Sequence, residues 1–253
     1  MKKQLTEAEV IEYFHLVFLQ VLSTRLDQSH YVLKGGVNLR YFFGSYRYSE
    51  DIDLDAIRIE RWSLETRVDK VLDSPAMQML LRSEGLAFER VTKPKQTETT
   101  QRWKLLITTN GRKKTVHTKI EFSHRADDPR RILEPVPDQV VAPYALRPPA
   151  VLHYTEGAAI EQKIGALALR SETQARDLFD LELLMRRYPD AIRPGQVTAK
   201  TLQVAIERAT ELPFAAFRDQ VMPFLDREVA DLYRPDVWDQ MQSFVIDRLM
   251  ELR

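Results

Sequence analysis

The sequence predicts an α+β protein: helices and a mixed β-sheet in the N-terminal half, and helices alone in the C-terminal half. In the first half, short β-rich runs alternate with amphipathic segments, whereas from about residue 156 onward the apolar residues recur at helical spacing. Five prolines separate the two patterns: Pro135, Pro137, Pro143, Pro148 and Pro149. This break predicts a first domain over 1–140 and a helical domain over 141–253.

The N-terminal elements follow from periodicity and from turn residues. Predicted helices cover 5–26, 37–43 and 62–82, and predicted strands cover 31–33, 52–57, 86–91, 103–109 and 115–122. Asn110-Gly111 suits a tight hairpin turn between the last two strands, because both central residues of a type I′ turn need positive φ. The C-terminal helices are predicted over 156–170, 173–187, 199–210, 214–231 and 235–252.

Composition limits the possible classes of protein. The 253 residues can form one large or two small domains, and a formal net charge of +0 means that any polyanion site must be a local patch. The absence of cysteine excludes disulfides, thiolate zinc sites and cysteine nucleophiles. The start lacks the apolar core of a signal peptide, and no apolar run approaches membrane-spanning length. We therefore expect a cytoplasmic protein with no membrane partner.

Alternating acids in 51–55 are the most informative feature. On a strand, Asp51 and Asp53 project to one face while Ile52 and Leu54 face the other. Adjacent buried carboxylates repel unless a cation lies between them, and in phosphoryl chemistry a pair of divalent metal ions is the usual solution. A solvated strand face or an N-cap cluster is the alternative, although Asp is depleted in strands. Asp55 continues the alternation, with the exit loop as an alternative place for it.

Gly35-Gly36 lies where a predicted strand gives way to a helix. Glycine lets a phosphate approach the backbone, and the N–H groups of a helix start favour anions. Arg40 lies one turn further along and could point to the same place. The alternative is a tight strand-to-helix turn that needs glycine only for its dihedral angles.

Two further clusters could contribute charged groups. In the run 115–122, Lys119 and Glu121 share one face, so Glu121 could be a third carboxylate beside the acidic strand or a cross-strand salt-bridge partner. Among the C-terminal helices, Lys163 and Arg170 share one face, and so do Asp177 and Asp180. A surface ion pair between Arg176 and Asp180, at i,i+4 spacing, is the competing interpretation there.

These motifs together resemble a known family. Leu-Lys-Gly-Gly-x-x-Leu-Arg, followed by Gly44, Arg47, Ser49 and Asp-Ile-Asp-Leu, is similar to the AbiEii/AbiGii nucleotidyltransferase toxins of type IV abortive-infection toxin–antitoxin systems. The later Glu-x-Lys-x-x-Ala-Leu-x-x-Arg and Arg-Asp-Leu-Phe-Asp-Leu resemble the second signature of that family, which usually has Tyr where Phe179 stands. The resemblance spans about residues 30 to 185 and rests on two motifs in the right order.

The resemblance implies a DNA polymerase β-like nucleotidyltransferase fold. It also implies a reaction that depends on Mg²⁺ or Mn²⁺, in which a nucleoside monophosphate is transferred from an NTP to a tRNA 3′ end. Such a transfer would block translation. A cognate antitoxin is an implied partner. Carried over to this chain, the implied metal ligands are Asp51 and Asp53, with Glu121 as a third acid. The implied nucleotide-binding residues are Gly35, Gly36, Arg40, Ser49 and Lys163. The implied late catalytic acid is Asp177 or Asp180.

The acceptor is the least determined part of this hypothesis. Trp103 and the surrounding basic residues form a candidate RNA-binding surface, with a solvated hairpin as the alternative. Its basic members are Lys93, Lys95, Arg102, Lys104, Arg112, Lys113, Lys114, Arg125, Arg130 and Arg131. Two other functions stay open: a nucleotidyltransferase that modifies a small molecule, of the aminoglycoside-modifying kind, and a catalytically silent binding protein of the same fold.

Overall fold

The computed structural model describes residues 4–109, 114–124 and 128–253. Two compact units can be distinguished. The N-terminal unit comprises the chain through Phe42 together with Tyr48–Tyr154, and the helical unit comprises Phe43–Arg47 together with Thr155–Arg253. The chain thus enters the helical unit for five residues before it forms the acidic strand. The predicted domain boundary at 140/141 falls within the N-terminal unit and stays a prediction.

The N-terminal unit is a mixed sheet with helices. Among the described residues, seven strands are hydrogen-bonded in the order β3-β4-β5-β2-β1-β7-β6. The strands are β1 (Tyr31–Lys34), β2 (Asp51–Ala56), β3 (Leu86–Gln96), β4 (Thr100–Thr109), β5 (Lys114–His124), β6 (Arg131–Pro135) and β7 (Ala150–Tyr154). The helices are α1 (Glu7–Leu22), α2 (Gly35–Phe42), α3 (Arg61–Leu72), α4 (Pro75–Ser83) and α5 (Asp138–Val141). β2 runs parallel to β5 and antiparallel to β1, so the acidic strand lies inside the sheet.

The first helix supplies much of the core of this unit. Thr6 and Glu9 form a reciprocal capping box that satisfies free N–H groups at the start of α1. Phe14, Val17 and Phe18 are completely buried in one cluster with apolar residues of the sheet and of α3 and α4. Burial of each such side chain contributes about 1.5–3 kcal/mol. This core fixes the sheet that carries the acids.

The helical unit contains six helices within the described residues. They are α6 (Glu156–Leu169), α7 (Ala175–Arg187), α8 (Ala199–Glu211), α9 (Phe214–Gln220), α10 (Arg227–Ala230) and α11 (Pro235–Glu251). Phe217 and Trp238 stack at its centre with ring centroids 5.0 Å apart, and both side chains are buried. No helix in the described parts of the chain has the length and apolar character required to cross a membrane.

Several predicted elements need correction. The predicted helix over 62–82 is two helices, because Pro75 disfavours helical geometry at Ser74, which instead caps α4. The predicted helix over 214–231 is also broken, by a 3₁₀ turn at Met222–Phe224 that contains Pro223. The strand predicted over 86–91 continues past Pro94, which is tolerated because β3 is an edge strand with an irregular register.

Two strands were not predicted at all. β6 and β7 lie among the prolines that indicated a boundary, yet β7 pairs with β1 in parallel and β6 pairs with β7. The hairpin prediction at Asn110-Gly111 lies outside the described residues. β4 and β5, the strands on either side of it, do form an antiparallel pair.

Candidate active site

The glycine turn and the acidic strand meet at one point. Gly35 has a φ of 69°, in the left-handed region that favours glycine, at the junction of β1 and α2. A Cβ atom built on Gly35 would lie 2.9 Å from Oδ2 of Asp53. The backbone at this turn therefore approaches the carboxylate more closely than any other amino acid would allow without a shift.

The carboxylates of Asp51, Asp53 and Glu121 share one face of the sheet. Asp51 and Asp53 are alternate residues of β2, and Asp53 is the direct register partner of Glu121 on β5. The three residues expected to be metal ligands thus lie on one face of two adjacent strands. Asp55 also lies inside β2 rather than in the exit loop, and it is buried, accepting hydrogen bonds from Lys34 and from the Tyr154 hydroxyl.

Cations from the neighbouring strands contact this face. Nζ of Lys119 lies 2.5 Å from Oδ2 of Asp51, and Nη2 of Arg102 lies 2.6 Å from Oε2 of Glu121. The Arg102–Glu121 pair is the cross-strand salt bridge that the sequence left open as an alternative for Glu121. Strand alternation places Lys119 on the same face as Glu121. That alternation was the one sequence signal for the position of Lys119.

The carboxyl of Asp53 is buried among charged groups. Burial raises the pKa of its carboxyl above the ordinary value, and the charges of Asp51 and Glu121 act in the same direction. Lys34 and Lys119 oppose this rise without cancelling it. The local environment therefore disfavours the ionised form of Asp53 and would be relieved by an additional cation.

The donor chemistry of this face fits a divalent cation. Carboxylate oxygens are the ligands that Mg²⁺ and Mn²⁺ prefer, and Asp51 and Asp53 supply them beside a turn without side chains. Within the described residues, no group of three or more His, Asp or Glu side chains is arranged to hold a metal ion. Asp51 and Glu121 form ion pairs with Lys119 and Arg102 in this structure.

The remaining predicted nucleotide-binding residues of the N-terminal unit occupy different positions. Gly36 is buried in the first turn of α2, and the Ser49 hydroxyl donates to the backbone carbonyl of Asp51 at 2.9 Å, at the entrance to β2. Arg40 donates from Nε to the buried carboxylate of Glu12 at 2.8 Å, and its guanidinium lies 4.2 Å from the centroid of the Tyr48 ring. In this structure Arg40 therefore makes contacts that stabilise the unit.

The predicted residues of the helical unit form a buried network. Nζ of Lys163 lies 2.9 Å from Oδ1 of Asp177 and 2.6 Å from Oδ2 of Asp180, and neither aspartate is exposed to solvent. Nε of Arg170 is 2.8 Å from Oδ2 of Asp177, without hydrogen-bond geometry. The alternative of a surface ion pair with Arg176 is wrong for Asp180, because this carboxylate is buried and held by Lys163 and by a residue of the Phe43–Arg47 segment.

That residue, Arg47, received no role from the sequence. It donates from Nε and Nη2 to the two oxygens of Asp180, at 2.7 and 2.6 Å, and its side chain is buried. Burial alone would raise the pKa of Asp180, but Arg47 and Lys163 outweigh it and hold the pKa below the ordinary value. The only sequence signal was the position of Arg47 between Gly44 and Ser49 in the motif.

The candidate RNA-binding surface needs one correction. Trp103 is completely buried and donates from Nε1 to Asp69 at 2.9 Å, so it cannot stack on a base. Several basic members of the surface have acidic partners: Lys93 with Glu65 and Asp69, Arg102 with Glu121, and Arg130 with Asp128. Lys95 and Lys104 are exposed. Outside the described residues lie Arg112, Lys113, Arg125 and the side chain of Lys114.

Two solved structures have a similar fold. The chain is similar to JHP933 from Helicobacter pylori, with a TM-score of 0.60 and 19% identity over 98% of this chain and 95% of the other. It is similar to a putative nucleotidyltransferase from H. pylori as well, with a TM-score of 0.59 and 19% identity over 96% of each chain. The predicted fold class, α+β with a mixed sheet followed by a helical C-terminal region, is confirmed.

The family follows from a match over nearly the whole chain. Residues 17–249 match the family described as "Nucleotidyl transferase AbiEii toxin, Type IV TA system". The chain therefore belongs to the AbiEii nucleotidyltransferase toxin family, as its two motifs indicated. Among curated proteins, none matches this chain.

Proposed function

We propose that this AbiEii-family toxin transfers a nucleoside monophosphate from an NTP to the 3′ end of an RNA in the cytoplasm, with a tRNA acceptor end as the target. The observation that supports this most directly is the close approach of the Gly35 turn to Asp53 on the acidic strand. A turn formed by glycines, beside clustered carboxylates, suits a bound nucleoside triphosphate and its counter-ions.

In the proposed reaction, an RNA hydroxyl loses its proton to solvent and its oxygen forms a bond to the α-phosphorus. The bond from that phosphorus to the bridging oxygen of the β-phosphate breaks, and pyrophosphate leaves. Asp51 and Asp53, with Glu121 as a candidate third ligand, would hold Mg²⁺ or Mn²⁺. Such an ion, when bound, neutralises phosphate charge and lowers the pKa of the attacking hydroxyl. Gly35 and Gly36 would let the phosphates approach the backbone at the start of α2.

Lys163, Asp177 and Asp180 are proposed to support the reaction from the helical unit. In the structure Lys163 lies between the two aspartates, so a contact of its ammonium with a phosphate would require exchange of at least one of these ion pairs. Arg40 is a weaker candidate for nucleotide binding, because Glu12 already holds its guanidinium.

The RNA acceptor would be held mainly through phosphate contacts, with Lys95 and Lys104 as exposed cations in the predicted surface. If a base stacks on the protein, Trp62 is a better candidate than Trp103, because 71% of its surface is exposed. Transfer to a tRNA end would block aminoacylation and thus translation. A cognate antitoxin is the proposed protein partner.

The test is incubation of the protein with total RNA, Mg²⁺ and each labelled NTP in turn, followed by sequencing of RNA 3′ ends. We expect one nucleotide to be added to tRNA 3′ ends, and no addition in EDTA or by the Asp53→Asn variant. Label in an aminoglycoside or another small molecule instead of RNA would point to the alternative acceptor. Absence of label from every acceptor would support a silent binding protein.

A further inference from the structure

Lys119 is the cation that contacts Asp51 at the start of the acidic strand, and its position is set by the sheet. It is the direct register partner of Asp51 on the parallel neighbour of β2, and both side chains are mostly buried. Its ammonium lies 2.5 Å from Oδ2 of Asp51. One of the two oxygens that Asp51 could offer to a metal ion is therefore already occupied by a charged donor.

The next row of the sheet shows a different arrangement. Lys34, Asp53, Glu121 and Arg102 are successive register partners on four adjacent strands. Arg102 binds Glu121 and Lys34 binds Asp55, so these two cations contact carboxylates that lie beside Asp53.

We propose that Lys119 is an internal counter-cation that competes with the divalent metal for Asp51, so that metal binding requires release of the Lys119 ammonium. The inference rests on the proposed function, because it assumes that Asp51 and Asp53 hold the metal. An ammonium and a divalent ion on the carboxylate of Asp51 repel each other at this distance, so Coulomb repulsion opposes their coexistence there. Lys119 therefore weakens metal affinity until a further negative charge, such as a triphosphate, accompanies the metal.

The experiment measures Mn²⁺ binding by the full chain without nucleotide, from the EPR signal of free Mn²⁺. Lys119→Met should bind Mn²⁺ about three- to fivefold more tightly than the wild type, the factor that corresponds to a partly exposed ion pair. Lys119→Arg keeps the charge and should retain an affinity near that of the wild type. Lys104→Met is the matched control, because Lys104 pairs with Lys119 in register but lies one strand further from Asp51.

The second measurement is the melting temperature, which can be compared between variants when no metal ion is bound. In EDTA, Lys119→Met should melt at a lower temperature than Lys104→Met, since Asp51 loses its partner, and saturating Mg²⁺ should raise its Tm more than it raises that of the wild type. Variants are first compared by circular dichroism to confirm that they fold.

The outcomes separate the two proposals. If Lys119→Met binds Mn²⁺ no better than the wild type, or if Lys104→Met gains as much, the competition is wrong even if the wild type binds metal. If Asp53→Asn binds Mn²⁺ as tightly as the wild type, the metal site of the proposed function is wrong, and the inference falls with it.

Discussion

Replacement of Arg47 by methionine should destabilise the protein strongly, although Arg47 was given no role from the sequence. The change keeps an apolar stem and removes the two hydrogen bonds of 2.7 and 2.6 Å to a fully buried Asp180. Loss of one partner from a buried ion pair costs about 3–5 kcal/mol. Because Lys163 remains 2.6 Å from Oδ2 of Asp180, we expect the lower end, about 3 kcal/mol.

The assay is urea unfolding at pH 7, followed by circular dichroism. Arg218→Met is the matched control, because Arg218 pairs with Asp219 on the surface, and its unfolding midpoint should not change. In the double variant Arg47→Met/Asp180→Asn, the loss should be smaller than the sum of the two single losses, since no unpaired carboxylate remains.

The pH dependence of this effect has a definite sign. The pKa of Asp180 is lowered in the folded protein, so its contribution to stability is complete above the pKa of an unfolded aspartate, about 3.9, and is lost as the pH falls through the folded value. The difference between Arg47→Met and the wild type should therefore shrink below about pH 4. A loss under about 1 kcal/mol at pH 7, the size of a surface pair, would refute the buried bidentate contact.

Three other variants test the site. Gly35→Ala should lower both Tm and activity, because alanine would have to adopt a left-handed φ and its Cβ would lie 2.9 Å from Oδ2 of Asp53. Gly195→Ala is the control: Gly195 also has a left-handed φ, 86°, but nothing lies within 4 Å of an added Cβ, so this variant should lower Tm alone. Equal losses of activity in the two variants would contradict a role for the contact between Gly35 and Asp53. Asp53→Asn should abolish turnover, yet in EDTA it should raise the free energy of unfolding by on the order of 1 kcal/mol, because it removes a buried carboxylate with a raised pKa. A lower free energy of unfolding in urea would contradict this reasoning. Lys163→Met should lower stability and raise the KM for NTP; a destabilised variant with unchanged KM would limit Lys163 to a structural role.

The local parts of the site could be predicted because their signals are local. Alternation of acids and aliphatic residues determines which side chains share a face of β2, and two glycines at a strand-to-helix junction are consistent with the left-handed turn at Gly35. The pairing of Asp53 with Glu121 could be predicted once β5 was assumed to lie next to β2 in the sheet.

The parts that could not be predicted depend on long-range packing. Arg47 and Asp180 are 133 residues apart, and no periodicity relates a loop cation to a helix carboxylate. Trp103 is buried because it lies within β4 and donates a hydrogen bond to Asp69. Composition cannot indicate such a contact. β6 and β7 are short and lie among prolines, so their strand character comes from pairing beside β1 rather than from a pattern of their own.

The most direct test of the central claim is the single-turnover rate of nucleotide transfer by Asp53→Asn beside the wild type, with Mg²⁺, the preferred labelled NTP and purified tRNA. Circular dichroism of both proteins establishes that the fold is retained. If Asp53 holds the catalytic metal, the rate should fall by about 10³-fold or more, equivalent to several kcal/mol of lost stabilisation of the transition state. A rate within about twofold of the wild type would contradict the assignment of the acidic strand as the catalytic centre.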